Sequence, residues 1–121
     1  MLNLDTHILL FALAGTLTPR EKKLLESDEW GICDIVLWEI TKLRQLNRIE
    51  LNLNDADLRA ILRGVRVWPI DLEICLATLS LDFKSDPADE LIAATSIVHH
   101  APLVTRDQRL RKSKVVPLAR A

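Results

Sequence analysis

The sequence predicts an α/β domain built on a central parallel sheet of four to five strands. Three observations predict it. Short apolar runs alternate with segments of helical apolar spacing along the whole chain. Helix-start signatures, in which a capping residue precedes Pro or an acid, stand between those runs. Only 3 glycines and 5 prolines occur among 121 residues, too few for a loop-rich or disordered chain. Strands that alternate with helices pair in parallel and are covered on both faces.

The elements follow in order. Met1 to Asp5 reads as a strand, with Asn3 interrupting its apolar residues and weakening its anchorage. Thr6 to Ala14 is an apolar run ended by Gly15, a buried helix with a C-terminal glycine. Thr18-Pro19-Arg20-Glu21 places a cap, Pro at the first helical position and an acid at the third, opening a polar helix through Leu25. Trp30 to Asp34 reads as a second strand, and Ile35 to Leu46 as a helix. Asn54-Asp55-Ala56-Asp57 opens a helix through Leu62. Val65 to Ile70 alternates as a third strand, and Asp71 caps a helix to Leu81. Asp86-Pro87 caps the next, through His99, with Asp89 at the third position of a capping box and Glu90 turned to solvent. Pro102 to Thr105 is a fourth strand, Gln108 to Lys112 one helical turn, and Val115-Val116 a short last strand.

At this length one domain, residues 1–121, with one continuous core is expected. Net charge is −1, so global charge does not announce a nucleic-acid binder. Its distribution says more: residues 101–121 carry six Lys or Arg against one acid, leaving +5 there and −6 in the first hundred residues. Cys33 and Cys75 have no metal-type spacing and read as reduced core cysteines of a cytoplasmic protein. The run Ile8 to Ala14 lacks a basic flank and follows Asp5 and His7, so it is not read as a signal peptide. No stretch approaches the roughly 20 apolar residues that span a bilayer. No glycine-rich phosphate loop is present. His99-His100 suits a helix C-terminus, and His7 a packed or edge position, better than metal ligation. Trp30, Trp38 and Trp68, with Phe11 and Phe83, read as core anchors rather than base-stacking platforms.

Four acids point to chemistry. Asp5 and Asp107 end strand-like runs, and in parallel sheets sites form beyond the carboxyl ends of strands. Glu39 shares a helical face with Ile35, Leu43 and Leu46, where a carboxylate needs a partner: Lys42, Arg44 or a bound group. Asp89 lies one turn before Ile92 and Ala93. Each has a bland alternative, since Asp5, Asp86 and Asp107 all suit helix caps. Jointly they favour one site. Bare carboxylates about 4 Å apart repel by roughly 1–4 kcal/mol, and a shared divalent cation offsets that cost. Oxygen-only ligands suit Mg²⁺ or Mn²⁺.

Leu4-Asp5-Thr6-His7-Ile8-Leu9-Leu10, Leu37-Trp38-Glu39-Ile40, Asp86-Pro87-Ala88-Asp89-Glu90-Leu91-Ile92-Ala93-Ala94-Thr95 and Leu103-Val104-Thr105-Arg106-Asp107 follow one another in this order. In this they resemble the PIN-domain nucleases, and most closely the VapC-type ribonuclease toxins. The resemblance implies a three-layer α/β/α PIN-like domain and metal-dependent endonucleolytic cleavage of single-stranded RNA leaving a 5′-phosphate. It implies Asp5, Glu39 and Asp89 as the main acidic, metal-holding set, with Asp107 at a more variable fourth catalytic position. Thr6, Thr105 and Asp86 stand beside that set as supporting residues. Arg106, Arg109, Arg111 and Lys112 are candidates to hold the RNA backbone. Glu90 stands where many relatives carry Arg or Lys, which removes a positive charge near the cleft. A homodimer and a small antitoxin that places an Arg or Lys against the acids are implied as partners.

Two other classes are weighed against the nuclease. A receiver-like phosphoacceptor needs paired acids after the first strand and a late Lys after a strand, whereas Asp5 stands alone. A catalytically silent interaction domain of the same fold would keep its acids as relics and fail to bind Mn²⁺ while folding normally.

Overall fold

The computed structural model describes residues 1–48 and 54–120. The elements run β1 (Leu2–Leu4), α1 (Thr6–Ala14), α2 (Pro19–Glu26), β2 (Trp30–Cys33), α3 (Ile35–Gln45), α4 (Asp55–Leu62), β3 (Arg66–Trp68), α5 (Leu72–Ala77), α6 (Pro87–His99), β4 (Leu103–Val104) and α7 (Gln108–Arg111). The four strands form one sheet in the order β3-β2-β1-β4, with every pair parallel. Leu2 faces Trp30 on one side of β1, and Leu4 faces Val104 on the other.

Local chemistry sets most boundaries. Gly15, at φ 71, closes α1 in the left-handed conformation that glycine adopts without strain. Thr18 and Glu21 close a reciprocal capping box on α2, and Asn54 and Asp57 do the same on α4. The Asp71 side chain accepts from the Ile74 amide and starts α5. That helix stops at Ala77 and tightens into a 3₁₀ turn over Thr78–Ser80, short of the expected continuous helix to Leu81.

Both faces of the sheet are covered, since every residue of β1 is buried. Leu2 and Leu4 join a core that includes Leu25 of α2, Val36 of α3, Ile92 of α6 and Leu110 of α7. Asn3, between them in β1, is an anchor, contrary to the sequence reading. Its Nδ2 donates to the Ile92 carbonyl at 2.9 Å and to Ser96 Oγ at 2.8 Å, fastening β1 to α6. Trp68 at the end of β3 lies against Gly31 of β2 and stacks on His99, with ring centroids 5.1 Å apart.

Several expectations are corrected. Trp38 is 59% exposed and anchors nothing in the core, while Trp68 is buried and Trp30 donates its indole N–H to the Leu25 carbonyl. Leu46 of the expected α3 stripe is likewise exposed. Cys75 is exposed, whereas Cys33 is buried and burial pushes its thiol pKa up. The last strand-like contact falls at Leu118, which bridges Leu103 in parallel, and not at Val115-Val116. Among the described residues no helix is long and apolar enough to cross a membrane.

Arg106, just after β4, clasps this end of the molecule. Its Nε and Nη2 bond the two oxygens of Glu21 at 2.7 and 2.6 Å, and its guanidinium lies 3.8 Å from the Phe11 ring centroid. The Arg106 hydrogen bonds hold the Glu21 carboxyl down at about 2, against its ordinary 4.5, although burial opposes them. A carboxyl so depressed stabilises the fold above its ordinary value, and that stability is lost as pH falls towards the folded value. Because Arg106 is 40% exposed, solvent screening keeps the contribution to about 1 kcal/mol. Glu21→Gln should therefore cost about 1 kcal/mol in urea melts near neutral pH, with the difference from wild type closing as pH drops below 4.5 towards 2. Gly31 supplies a second test, since a Cβ there would meet the Trp68 ring at 2.4 Å. Gly31→Ala should cost about 1–3 kcal/mol by overpacking, and Trp68→Leu in the same background should recover part of that loss.

Candidate active site

The strand order reverses direction at β1: β2 and β3 extend to one side and β4 lies on the other. At such a switch point the connections leave opposite faces, and a crevice opens beyond the carboxyl ends of the two central strands. Asp5 follows β1 and Thr105 follows β4, so both stand at that crevice.

Asp5 is 8% exposed and does two jobs. Its Oδ1 accepts from the Thr6 amide at 2.8 Å and caps α1. Its Oδ2 accepts from Thr105 Oγ1 at 2.6 Å, across the β1–β4 junction. The helix-cap reading of Asp5 is therefore right, and its second oxygen is held across the strand junction. Thr6 begins α1 and is buried, and its hydroxyl donates to Oε1 of Glu39 on α3. Neither alternative partner of Glu39 is available, because Arg44 pairs with Asp55 at 2.7 Å and Lys42 bonds Gln45.

Asp89, in the first turn of α6, is half-buried and accepts from Ser85 Oγ at 2.8 Å. It does not close a capping box. Asp86 occupies the cap position by backbone but makes no side-chain cap bond, and Glu90, expected in solvent, accepts the Ser85 amide at 3.0 Å. Asp107 is a helix cap: its Oδ1 takes the Arg109 and Leu110 amides of α7. Asp86, Asp89 and Asp107 line one cavity of about 670 Å³ with Ser85, Arg109 and Lys112.

The acids sense one another. Burial raises the Glu39 carboxyl, the Thr6 hydroxyl opposes that shift, and the charges of Asp5 and Asp89 add to it. Burial likewise raises Asp89, opposed by Ser85 and reinforced by Asp5, Asp107 and Asp86. These are carboxylates held together against their own repulsion. The donor set is all oxygen, which suits a hard divalent cation. Among the described residues, however, no three His, Cys, Asp or Glu side chains converge closely enough to hold an ion together. The arrangement thus fits a largely hydrated ion bound by one or two carboxylates, not a closed three-carboxylate cage.

The basic candidates divide. Arg109 and Lys112 line the acidic cavity, and Arg109 donates to the Lys84 carbonyl. Arg106 is consumed by Glu21, and Arg111 donates to the Thr105 carbonyl at 3.1 Å. Ser85 was not singled out by its sequence, although it holds both Asp89 and Glu90; a serine before Asp-Pro carries no distinctive signal. His7 is exposed on α1, and its charge draws the Glu39 carboxyl down slightly against the larger upward effects.

Known proteins are similar to this chain in sequence and in fold. The PIN domain family model matches residues 3–115. Ribonuclease VapC22 of Mycobacterium tuberculosis is 34% identical over 91 residues, covering 73% of this chain and 70% of the relative. A solved toxin–antitoxin complex from Klebsiella pneumoniae superposes with a TM-score of 0.74 at 19% identity, covering 98% of this chain and 97% of the other. VapBC2 from Rickettsia felis, solved on a DNA fragment from its promoter, gives 0.75 at 20% identity, with 98% of each chain covered. The family match spans nearly all of the sheet and every acid of the crevice, and the chain belongs to the PIN domain family.

Proposed function

We propose that this chain is a divalent-metal-dependent endoribonuclease of the VapC kind, the toxin of a toxin–antitoxin pair. The observation that carries the reading is the set of mutually repelling carboxylates at the β1–β4 crevice, in a chain 34% identical to a ribonuclease VapC. A divalent cation bound there supplies positive charge to the scissile phosphate and acidifies a water. Asp5 and Asp89 hold it, each oriented by a hydroxyl, Thr105 for one and Ser85 for the other. Glu39 has its Oε1 fixed by Thr6, which leaves Oε2 to take the proton of the attacking water. Asp107 keeps Oδ1 on the α7 amides, so its other oxygen is the one that orients solvent. Arg109 and Lys112 face the substrate backbone from the same cavity.

A small antitoxin is the proposed protein partner, supported by the toxin–antitoxin complexes among the fold's neighbours. An Arg or Lys from it, placed among the acids, would stand in for the cation and silence the site. Exposed Leu72, Leu76 and Leu79 supply apolar surface for a second copy of the chain.

Purified protein should cleave single-stranded RNA with Mn²⁺ or Mg²⁺ and stop in EDTA. Asp5→Asn should lower the rate by about 100-fold or more, equivalent to roughly 2.7 kcal/mol of barrier. Cleavage undiminished by either treatment removes the assignment. Glu39 gives a test with opposite signs for stability and activity. A carboxyl raised by burial and like charge opposes folding above its ordinary pKa, and that opposition fades as pH falls and the group protonates. Glu39→Gln keeps the acceptor for Thr6 and loses the charge. It should melt higher than wild type near neutral pH, by an amount typical of a relieved site, about 0.5–2 kcal/mol, while cleavage is lost. The advantage should shrink below pH 5, and a variant that melts lower at every pH would contradict the repulsion argument.

A further inference from the structure

A second cavity, of about 560 Å³, is lined by Thr105, the residue whose hydroxyl holds Asp5. Among the described residues, four that line it are arginines, Arg20, Arg106, Arg111 and Arg120, and the single acid is Glu21. Glu21 is already taken by Arg106. Three guanidinium charges in the lining are therefore not balanced by an acid of the lining. Among the described residues, Arg20 and Arg120 have no side-chain hydrogen-bond or ion-pair partner, and both are exposed. Arg111 is fixed by the Thr105 carbonyl at 3.1 Å.

Thr105 lines this cavity, and Gln108 lines both it and the acidic one. The Thr105 hydroxyl donates to Asp5, and its carbonyl accepts from Arg111. A polyanion cut at the acids is repelled by Asp5, Glu39, Asp89 and Asp107, so its flanking phosphates must find positive charge close by. The planar fork of arginine matches phosphate oxygens and stays charged at any working pH. We propose that the cavity of Arg20, Arg111 and Arg120 holds backbone phosphates of single-stranded RNA beside the scissile bond. The proposal rests on the ribonuclease reading and extends it, and it adds Arg20 and Arg120, which lie 100 positions apart in sequence, to the substrate-binding residues.

Binding is read by fluorescence anisotropy of a short labelled single-stranded RNA in EDTA, where no cleavage occurs. The Arg20→Gln/Arg120→Gln double variant should bind about tenfold more weakly, with a plot of log affinity against log salt shallower by about 1.4, the value for two lost contacts to a single strand. Lys22→Gln/Lys23→Gln removes the same charge from exposed positions of α2 outside the cavity and should bind within twofold of wild type. Thermal melts establish that both variants are folded. In cleavage assays with Mn²⁺ the arginine variant should raise KM and keep kcat. Unchanged RNA affinity in the arginine variant, equal losses in the two variants, or no RNA binding by wild type each overturns the proposal. Stabilisation by inorganic phosphate that only the arginine variant loses, with RNA affinity unaltered, would mark a small-anion pocket and also overturns it. Wild-type protein that binds RNA through these arginines yet never cuts it would instead count against the nuclease reading alone.

Discussion

The hydrogen bond from Thr105 to Asp5 joins the ends of β1 and β4, and the crevice depends on it. Carboxylates crowded at the edge of a sheet repel each other and, left alone, would swing into solvent. Here each of the three main acids is held by a hydroxyl: Thr105 on Asp5, Thr6 on Glu39 and Ser85 on Asp89. A hydroxyl fixes a carboxylate without cancelling its charge. The negative potential therefore survives, and it is the property a cation-dependent site requires. Arginine or lysine in those three places would neutralise the acids and remove the potential that draws a cation.

The sheet order explains why hydroxyls from such distant parts of the chain meet. With β1 between β2 and β4, the residue after β1 sits beside the residue after β4, 100 positions away. Thr6 follows Asp5 directly and opens α1, so one turn of backbone supplies the cap of a helix, a ligand candidate and the clamp on Glu39. Asn3 then ties β1 to α6, the helix that carries Asp89. The strand is only three residues long, yet it pairs with β2 and β4 and is tied to α6. Burying Asn3 is tolerable because its amide nitrogen is satisfied twice, even though its Oδ1 is buried without a partner.

What was legible in the sequence is what local chemistry decides. Gly15, Thr18 with Glu21, and Asn54 with Asp57 each announced a helix end through contacts within five residues. The four acids were legible because a carboxylate beside apolar residues conflicts with local expectation. Other features were decided at long range. Nothing near Trp38 distinguishes an exposed indole from the buried one at Trp68; the difference is Gly31 and His99, supplied by a neighbouring strand and by α6. Ser85 gains its place from the first turn of α6, and Glu90, not Asp89, answers its amide. Arg106 looked free in a basic tail, but its partner lies 85 residues earlier on α2.

That pairing changes how the charge asymmetry is to be understood. The excess of positive charge after residue 101 is not a uniform basic tail. Arg106 is neutralised in place and serves as a brace on Phe11 and Glu21. Arg109 and Lys112 line the cavity of Asp86, Asp89 and Asp107, and Arg111 lines the other cavity. Positive charge thus lines both the acidic cavity and the arginine cavity that Thr105 lines. An extended polyanion is attracted by those side chains and repelled by the acids, unless a metal ion sits among them. On the ribonuclease reading proposed above, the cation would be more than a chemical participant: it would decide whether an RNA strand can lie across the site.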